Sequence, residues 1–299
     1  MLPVAGTGSP TTRRSVAPLL WGSVGVLTFS LTLPLTRAAL VGFDPLVVAL
    51  GRSAIAGLLA LPLLLLTRQP RPTRAQWRHI AVVAACITVG FPLLSSWALA
   101  RVPASHGAVF LALLPVATAI LSLRHTRERP GRLFWVAASA GALVVMVYAV
   151  LARGFDGVHG ADLLLVGAML CGALSYAEGS VVTPHLGSWQ VTCWALALAL
   201  PVLGPIVLAD LLVTGPHAPA SAWAALLWMA FVGMIGGFVA WYHALRTGGV
   251  ARISQLQLVQ PLLAIAWSSV LLGESVPVSL VVAGVLTVAC VAVAQRARA

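Results

Sequence analysis

The chain has 299 residues, 60% of them hydrophobic and only 8% charged, with a mean hydropathy of +0.99; this balance excludes a water-soluble fold. Its formal net charge of +11 comes from arginines scattered in small groups between apolar runs. They form no continuous basic face, so nucleic acid is not an expected partner.

A helix needs about 20 apolar residues to cross about 30 Å of hydrocarbon, so this length holds about ten spans and no aqueous domain. Apolar runs bounded by Arg, Pro, Gly or Asp predict helices at about 16–38, 44–67, 76–99, 104–123, 131–151, 160–183, 189–212, 221–245, 250–272 and 276–295. Arg13 and Arg14 ahead of the first run resemble an export signal. The apolar stretch is longer than a signal core of about 7 to 15 residues, so it is read as a retained helix.

The first predicted helix carries Trp21, and the second carries Arg52 in its interior. Intramembrane charge is costly enough to mark function by default; Arg52 is a candidate for binding carbonyl groups or a substrate carboxylate. His79 stands near the start of the third helix and His243 near the end of the eighth, where titration would couple transport to protons. The fourth helix presents Ala104, Ala108, Ala112, Pro115, Ala119 and Ser122 at helical spacing, a small-residue stripe suited to close packing or to lining a cavity.

The sixth helix holds Tyr176 and Glu178, the latter read as the only acid inside a hydrophobic span and so as the proton-coupling candidate. Its estimated depth differs from that of Arg52 by about 15 Å, so the two are not expected to pair. In the eighth helix Trp241 and Tyr242 join Trp21 and Tyr176 as a candidate aromatic ring that grips a solute or closes an inner gate. In the ninth, Gln257 and Gln260 lie about 60° apart around the helix, beside Pro261. That proline frees the Gln257 carbonyl, so the pair either contacts substrate or hydrogen-bonds neighbouring helices.

The chain has no lysine, and a phosphate loop needs one; it is not its own ATP-driven motor. Cys86, Cys171, Cys193 and Cys290 all lie in apolar runs without metal-ligand spacing. They are read as small buried hydrophobes, and neither metal nor cofactor is expected. Basic residues in short loops stay in the cytoplasm. With the N-terminus inside, fourteen arginines fall on the cytoplasmic side and three (Arg37, Arg101 and Arg153) on the other. Both termini are therefore expected in the cytoplasm.

Ala98-Leu99-Ala100-Arg101-Val102 leads to Pro115 and Glu128, and Ala244-Leu245-Arg246-Thr247-Gly248 leads to Pro261 and Glu274, with spacings of 17 and 13 residues in both copies and a constant offset of 146. A glycine, Gly141 or Gly284, then opens the last helix of each half, with three extra residues in the first copy. Five helices per copy is an odd number, so the second copy enters the membrane from the other side. The expected fold is an all-α polytopic membrane protein of ten transmembrane helices, arranged as two inverted five-helix repeats over residues 1–155 and 156–299.

On these residues the chain resembles the drug/metabolite transporter superfamily, in particular its ten-helix EamA-type members. The resemblance rests on Trp21-Gly22, Arg52, the Ala-Leu to Pro to Glu order of both halves, and above all Ala244-Leu245-Arg246 through Leu272-Gly273-Glu274. Arg124-His125-Thr126-Arg127 and Cys171-Gly172 depart from the family pattern, which has an apolar-Gly run and a Trp-Gly at those places. The resemblance implies a secondary transporter of the bacterial inner membrane that exports small organic metabolites. It implies amino acids as the substrates, with aromatic and other neutral ones as a subtype. The expected partners are a small-molecule substrate and the lipid bilayer, with the chain a monomer or weak homodimer. A passive channel is the alternative, disfavoured by the lack of a charged ring or carbonyl filter. A membrane-embedded enzyme is disfavoured by the lack of a nucleophile motif or paired acids.

Overall fold

The computed structural model describes residues 16–125, 131–153, 160–214, 218–248 and 253–298, and among these there is helix and no strand. Ten helical runs follow one another: α1 (Ala17–Ala39), α2 (Pro45–Leu66), α3 (Arg74–Leu99), α4 (Ala104–Ser122), α5 (Arg132–Arg153), α6 (Gly160–Leu186), α7 (Ser188–Thr214), α8 (Ala220–Gly248), α9 (254–272) and α10 (Val278–Arg298). Seven are long and apolar enough to cross a membrane, while α5, α9 and α10 contribute shorter apolar stretches, Arg132–Tyr148, Leu256–Leu272 and Val278–Ala294. Each run falls on a predicted one, with ends displaced by a few residues. α6, α8 and α10 each run three residues past the predicted C-terminus, and in α6 Pro184 forfeits one backbone hydrogen bond near the end without stopping the helix.

Local chemistry explains the starts and the breaks. Asp44 accepts a hydrogen bond from the Leu46 N–H to open α2, and Thr73 with Gln76 forms a capping box at α3. Five helices are interrupted, four of them just before a proline that lacks its amide hydrogen. α1 breaks at Leu31 ahead of Pro34, and α4 at Ala112 and Leu113 ahead of Pro115. α3 widens to a π-helix over Ala84–Gly90 ahead of Pro92, and α9 begins as a tight 3-10 segment, Ser254–Val259, ahead of Pro261. In α8 a second π segment spans Met229–Gly237, where glycines at 233, 236 and 237 remove side-chain support. The two π segments begin 145 and end 147 residues apart (229 − 84 and 237 − 90), so the repeat seen in sequence extends to an irregularity of the backbone.

Packing repeats as well. α2 lies on α7, α4 on α9 and α5 on α10, while α1 lies on α8 and α6 on α3. Exchanging the first five helices for the last five leaves this pattern unchanged. Close approach depends on small residues: a Cβ on Gly25 of α1 would lie 3.2 Å from the Trp241 Cβ of α8, and one on Gly57 of α2 would lie 3.2 Å from the Leu196 carbonyl oxygen of α7.

Burial is inverted relative to a soluble protein. Arg52, Ser53, Thr88, Ser96, His106, Asp162, Ser175 and Glu178 are inside, while Leu58, Leu65, Val202, Leu212, Val213 and Val270 face outward. Interior hydroxyls bond back to their own helices, as Thr28 does to Val24 and Thr88 to Ala84. One polar tie crosses between halves at the α1 break: the Trp267 indole N–H donates to Ser30 Oγ at 3.1 Å.

Candidate functional site

The interruptions converge. A narrow cavity, with about 50 Å³ open to the centres of water-sized spheres, is lined by Thr32 of α1, Ile87 and Phe91 of α3, Leu111 and Leu114 of α4, Met229, Gly233 and Met234 of α8, and Gln260 of α9. Each lies in or beside a break. Irregular backbone at membrane depth is tolerated where it is buried in protein or lines a cavity, and here all five breaks open onto the same one. The room suits a few waters, so the cavity is narrow in this conformation.

Arg52 supplies its charge. The side chain is 2% exposed, its Nη1 lies 3.4 Å from Thr36 Oγ1 and 3.6 Å from the Met229 sulfur, and its guanidinium carbon stands 5.8 Å from the centre of the Phe91 ring. Among the described residues no carboxylate pairs with it, and its Nε has no acceptor. A buried cation with spare donors at a cavity wall has the chemistry to receive an anionic group.

The remaining wall is aromatic. Phe29, Tyr176 and Phe238 border the cavity, with Phe29 4.8 Å from Phe238 and 6.4 Å from Tyr176 between ring centres. Trp241 packs behind Phe29 and Tyr176 at 6.3 and 6.5 Å, and Tyr242 packs against Phe238 at 5.9 Å. Gln257 lies beside the Tyr176 side chain, and among the described residues its Nε2 has no acceptor.

The structure therefore brings together Arg52, Tyr176 and Gln260 at the cavity, with Gln257, Trp241 and Tyr242 directly behind. It does not bring Trp21 there. That side chain is 46% exposed on the outer surface and stacks on His243 at 5.4 Å; α1 is apolar all round, so its sequence does not say which side faces in. Phe29, Phe91 and Phe238 are cavity residues that sequence reading missed. The usable signal was placement, since Phe91 and Phe238 directly follow the two π segments.

A second cluster lies at the arginine-rich end. His79 Nδ1 is 2.6 Å from Glu178 Oε2, His125 Nε2 is 3.0 Å from Glu178 Oε1, and the Arg124 guanidinium is 3.4 Å from the same Oε1. His79 is thus not a lone terminal histidine. His125, noted in sequence only as part of a departure from the family pattern, completes the group. Two turns along the same seam, Cys86 of α3 lies beside Cys171 of α6, so the two helices run antiparallel there. Glu178 and Arg52 do not pair, as expected, but Glu178 is not the only buried acid. Asp162, 2% exposed, lies 2.8 Å from His106 Nε2 near the start of α6, inside the span already predicted from residue 160. Near that opposite end Glu274 accepts hydrogen bonds from the Ala104 and Ser105 amides at 2.8 and 3.0 Å, capping α4 from the other half. Its sequence counterpart, Glu128, lies outside the described residues.

The chain matches the EamA-like transporter family twice, over residues 17–150 and 159–295. The uncharacterized transporter YdeK of Bacillus subtilis (strain 168) is 41% identical over 278 residues, 92% of this chain and 96% of that protein. A probable terminal-alkyne amino-acid exporter of Streptantibioticus cattleyicolor is 26% identical over 283 residues, 91% of each chain. A solved crystal structure with 20% identity superimposes with a TM-score of 0.63 over 95% of this chain and 98% of that one, which shows a shared fold.

Proposed function

Since the chain belongs to the EamA-like transporter family, we propose that it exports small organic metabolites across the bacterial inner membrane, with neutral amino acids as the preferred class. The observation that carries this reading is the convergence of five broken helices on one narrow cavity bordered by Arg52, which has no carboxylate partner among the described residues. Arg52 receives the solute carboxylate, Gln260 offers an amide, and Phe29, Phe91 and Phe238 receive an apolar side chain. The similarity to a probable amino-acid exporter supports the same class.

The mechanism is alternating access. The halves 1–155 and 156–299 sit in opposite orientations, with both termini and the arginine-rich end in the cytoplasm. Rocking one half against the other opens the cavity first to one face and then to the other. Symmetric packing of α2 on α7, α4 on α9 and α5 on α10 supports this reading.

Counterflow in liposomes tests it. Purified protein preloaded with unlabelled amino acids is expected to accumulate the labelled species transiently, and Arg52→Met is expected to lower that uptake at least about tenfold, the loss of one charge-assisted contact of about 1.5–3 kcal/mol. Equal uptake in Arg52→Met removes the carboxylate receptor. Steady single-channel currents without counterflow would instead establish the channel.

A further inference from the structure

We infer that His79, His125 and Glu178 form a binding site for a divalent transition-metal ion of the zinc class, and that the bound ion clamps the arginine-rich end of the transporter shut. Two imidazoles and one carboxylate are a donor set that zinc accepts with a fourth position left open. The ligand atoms of the three residues all lie within 4.8 Å of one another. Ligands of a tetrahedral zinc ion at about 2.0–2.1 Å from the metal stand roughly 3.3 Å apart. The observed separations of 2.6 Å for His79 to Glu178 and 3.0 Å for His125 to Glu178 need only small side-chain rotations to admit the ion between them.

The surroundings fit a site that fills from water. The His79 and His125 side chains are each 27% exposed and that of Glu178 is 10% exposed, so the donors are reachable yet anchored. The competing cation is Arg124, 3.4 Å from Glu178 and 56% exposed. It turns out into solvent when the metal arrives, at little cost for so exposed an ion pair. The pair of thiols nearest the cluster, Cys86 and Cys171, lies two helical turns deeper along the seam and takes no part.

The consequence for transport comes from where the ligands stand. His79 belongs to α3 and His125 follows α4, both in the first half, whereas Glu178 belongs to α6 in the second. A metal held by all three ties the halves together at one end, and separation of the halves at that end is what the proposed cycle requires. The clamp thus rests on the alternating-access reading, while the metal site itself does not.

Protein carrying no polyhistidine tag, competing with a chromogenic zinc indicator, is expected to take up one equivalent of Zn²⁺, and Zn²⁺ is expected to raise its melting temperature. His79→Ala and His125→Ala should each weaken binding by more than about tenfold and lose the thermal shift, while eluting as the wild type does in size exclusion. His79→Gln, which keeps a polar side chain of similar reach, guards against loss through misfolding and is expected to bind as weakly. No uptake by the wild type, or equal uptake by the variants, overturns the site. Counterflow is then measured with and without Zn²⁺. Inhibition of the wild type that is absent in His125→Ala supports the clamp, whereas unchanged counterflow in Zn²⁺-loaded wild type overturns the clamp and leaves the site standing.

Discussion

Single residues in this protein are selected by what the bilayer will not tolerate. An arginine 2% exposed among apolar helices carries a desolvation cost of several kcal/mol, and the structure offers it a hydroxyl, a sulfur and an aromatic face instead of a carboxylate. That shortfall is what suits Arg52 to the receptor role proposed for it. Glu178 meets the opposite situation, since two imidazoles and a guanidinium converge on it. Glu178 is the residue we propose couples transport to protons. With an imposed pH gradient across proteoliposomes, Glu178→Gln is expected to lose gradient-driven uptake, because the amide neither binds nor releases a proton. An unchanged response to the gradient removes Glu178 from coupling.

At the scale of helices, interruption matters more than regularity. The π segments of α3 and α8 and the breaks of α1, α4 and α9 each surrender backbone hydrogen bonds, and each places a residue on the cavity wall. Close crossings hold these weakened helices in place. Gly237 ends the π segment of α8, where an added Cβ would lie 2.8 Å from Thr28 Cγ2 and 2.9 Å from Phe29 Cε1 of α1. Gly237→Leu is therefore expected to destabilise the protein by about 1–3 kcal/mol, read as a lower melting temperature in detergent. The start of α4 depends on a carboxylate from the other half, since Pro103 at its N-cap supplies no side-chain hydrogen bond. Glu274→Ala is expected to cost about 1–2 kcal/mol, and Glu274→Gln less, because the amide oxygen still accepts one of the two hydrogen bonds. Equal melting temperatures for Glu274→Ala and the wild type would show that the cap contributes nothing.

For the molecule as a whole, the decisive expectation concerns orientation. Cysteines introduced at positions 128 and 274 in a background without Cys86, Cys171, Cys193 and Cys290 should react with a membrane-impermeant reagent from opposite sides, the first from the cytoplasm only. Labelling from one common side would overturn the inverted arrangement and the transport cycle with it.

Much of this architecture was legible beforehand. The ten helices were readable because a span needs a fixed length of apolar residues, and the proposed two halves rest on Ala98, Pro115 and Glu128 recurring at one offset as Ala244, Pro261 and Glu274. Arg52, Tyr176 and Gln260 were readable because polar groups in apolar runs are conspicuous. Phe29, Phe91 and Phe238 were hidden, since a phenylalanine facing lipid and one facing a cavity look alike in sequence, and Trp21 was misplaced for the same reason. The meeting of His79, His125 and Glu178, separated by 99 and 53 residues from the acid, required the register of α3 and α4 against α6. Sequence alone thus determined how many helices there are, where they end and which residues are costly to bury. Only the tertiary structure decided which side of each helix turns inward, because lipid and protein interior are equally apolar and hydrophobicity cannot distinguish them; close packing and the pairing of polar groups do.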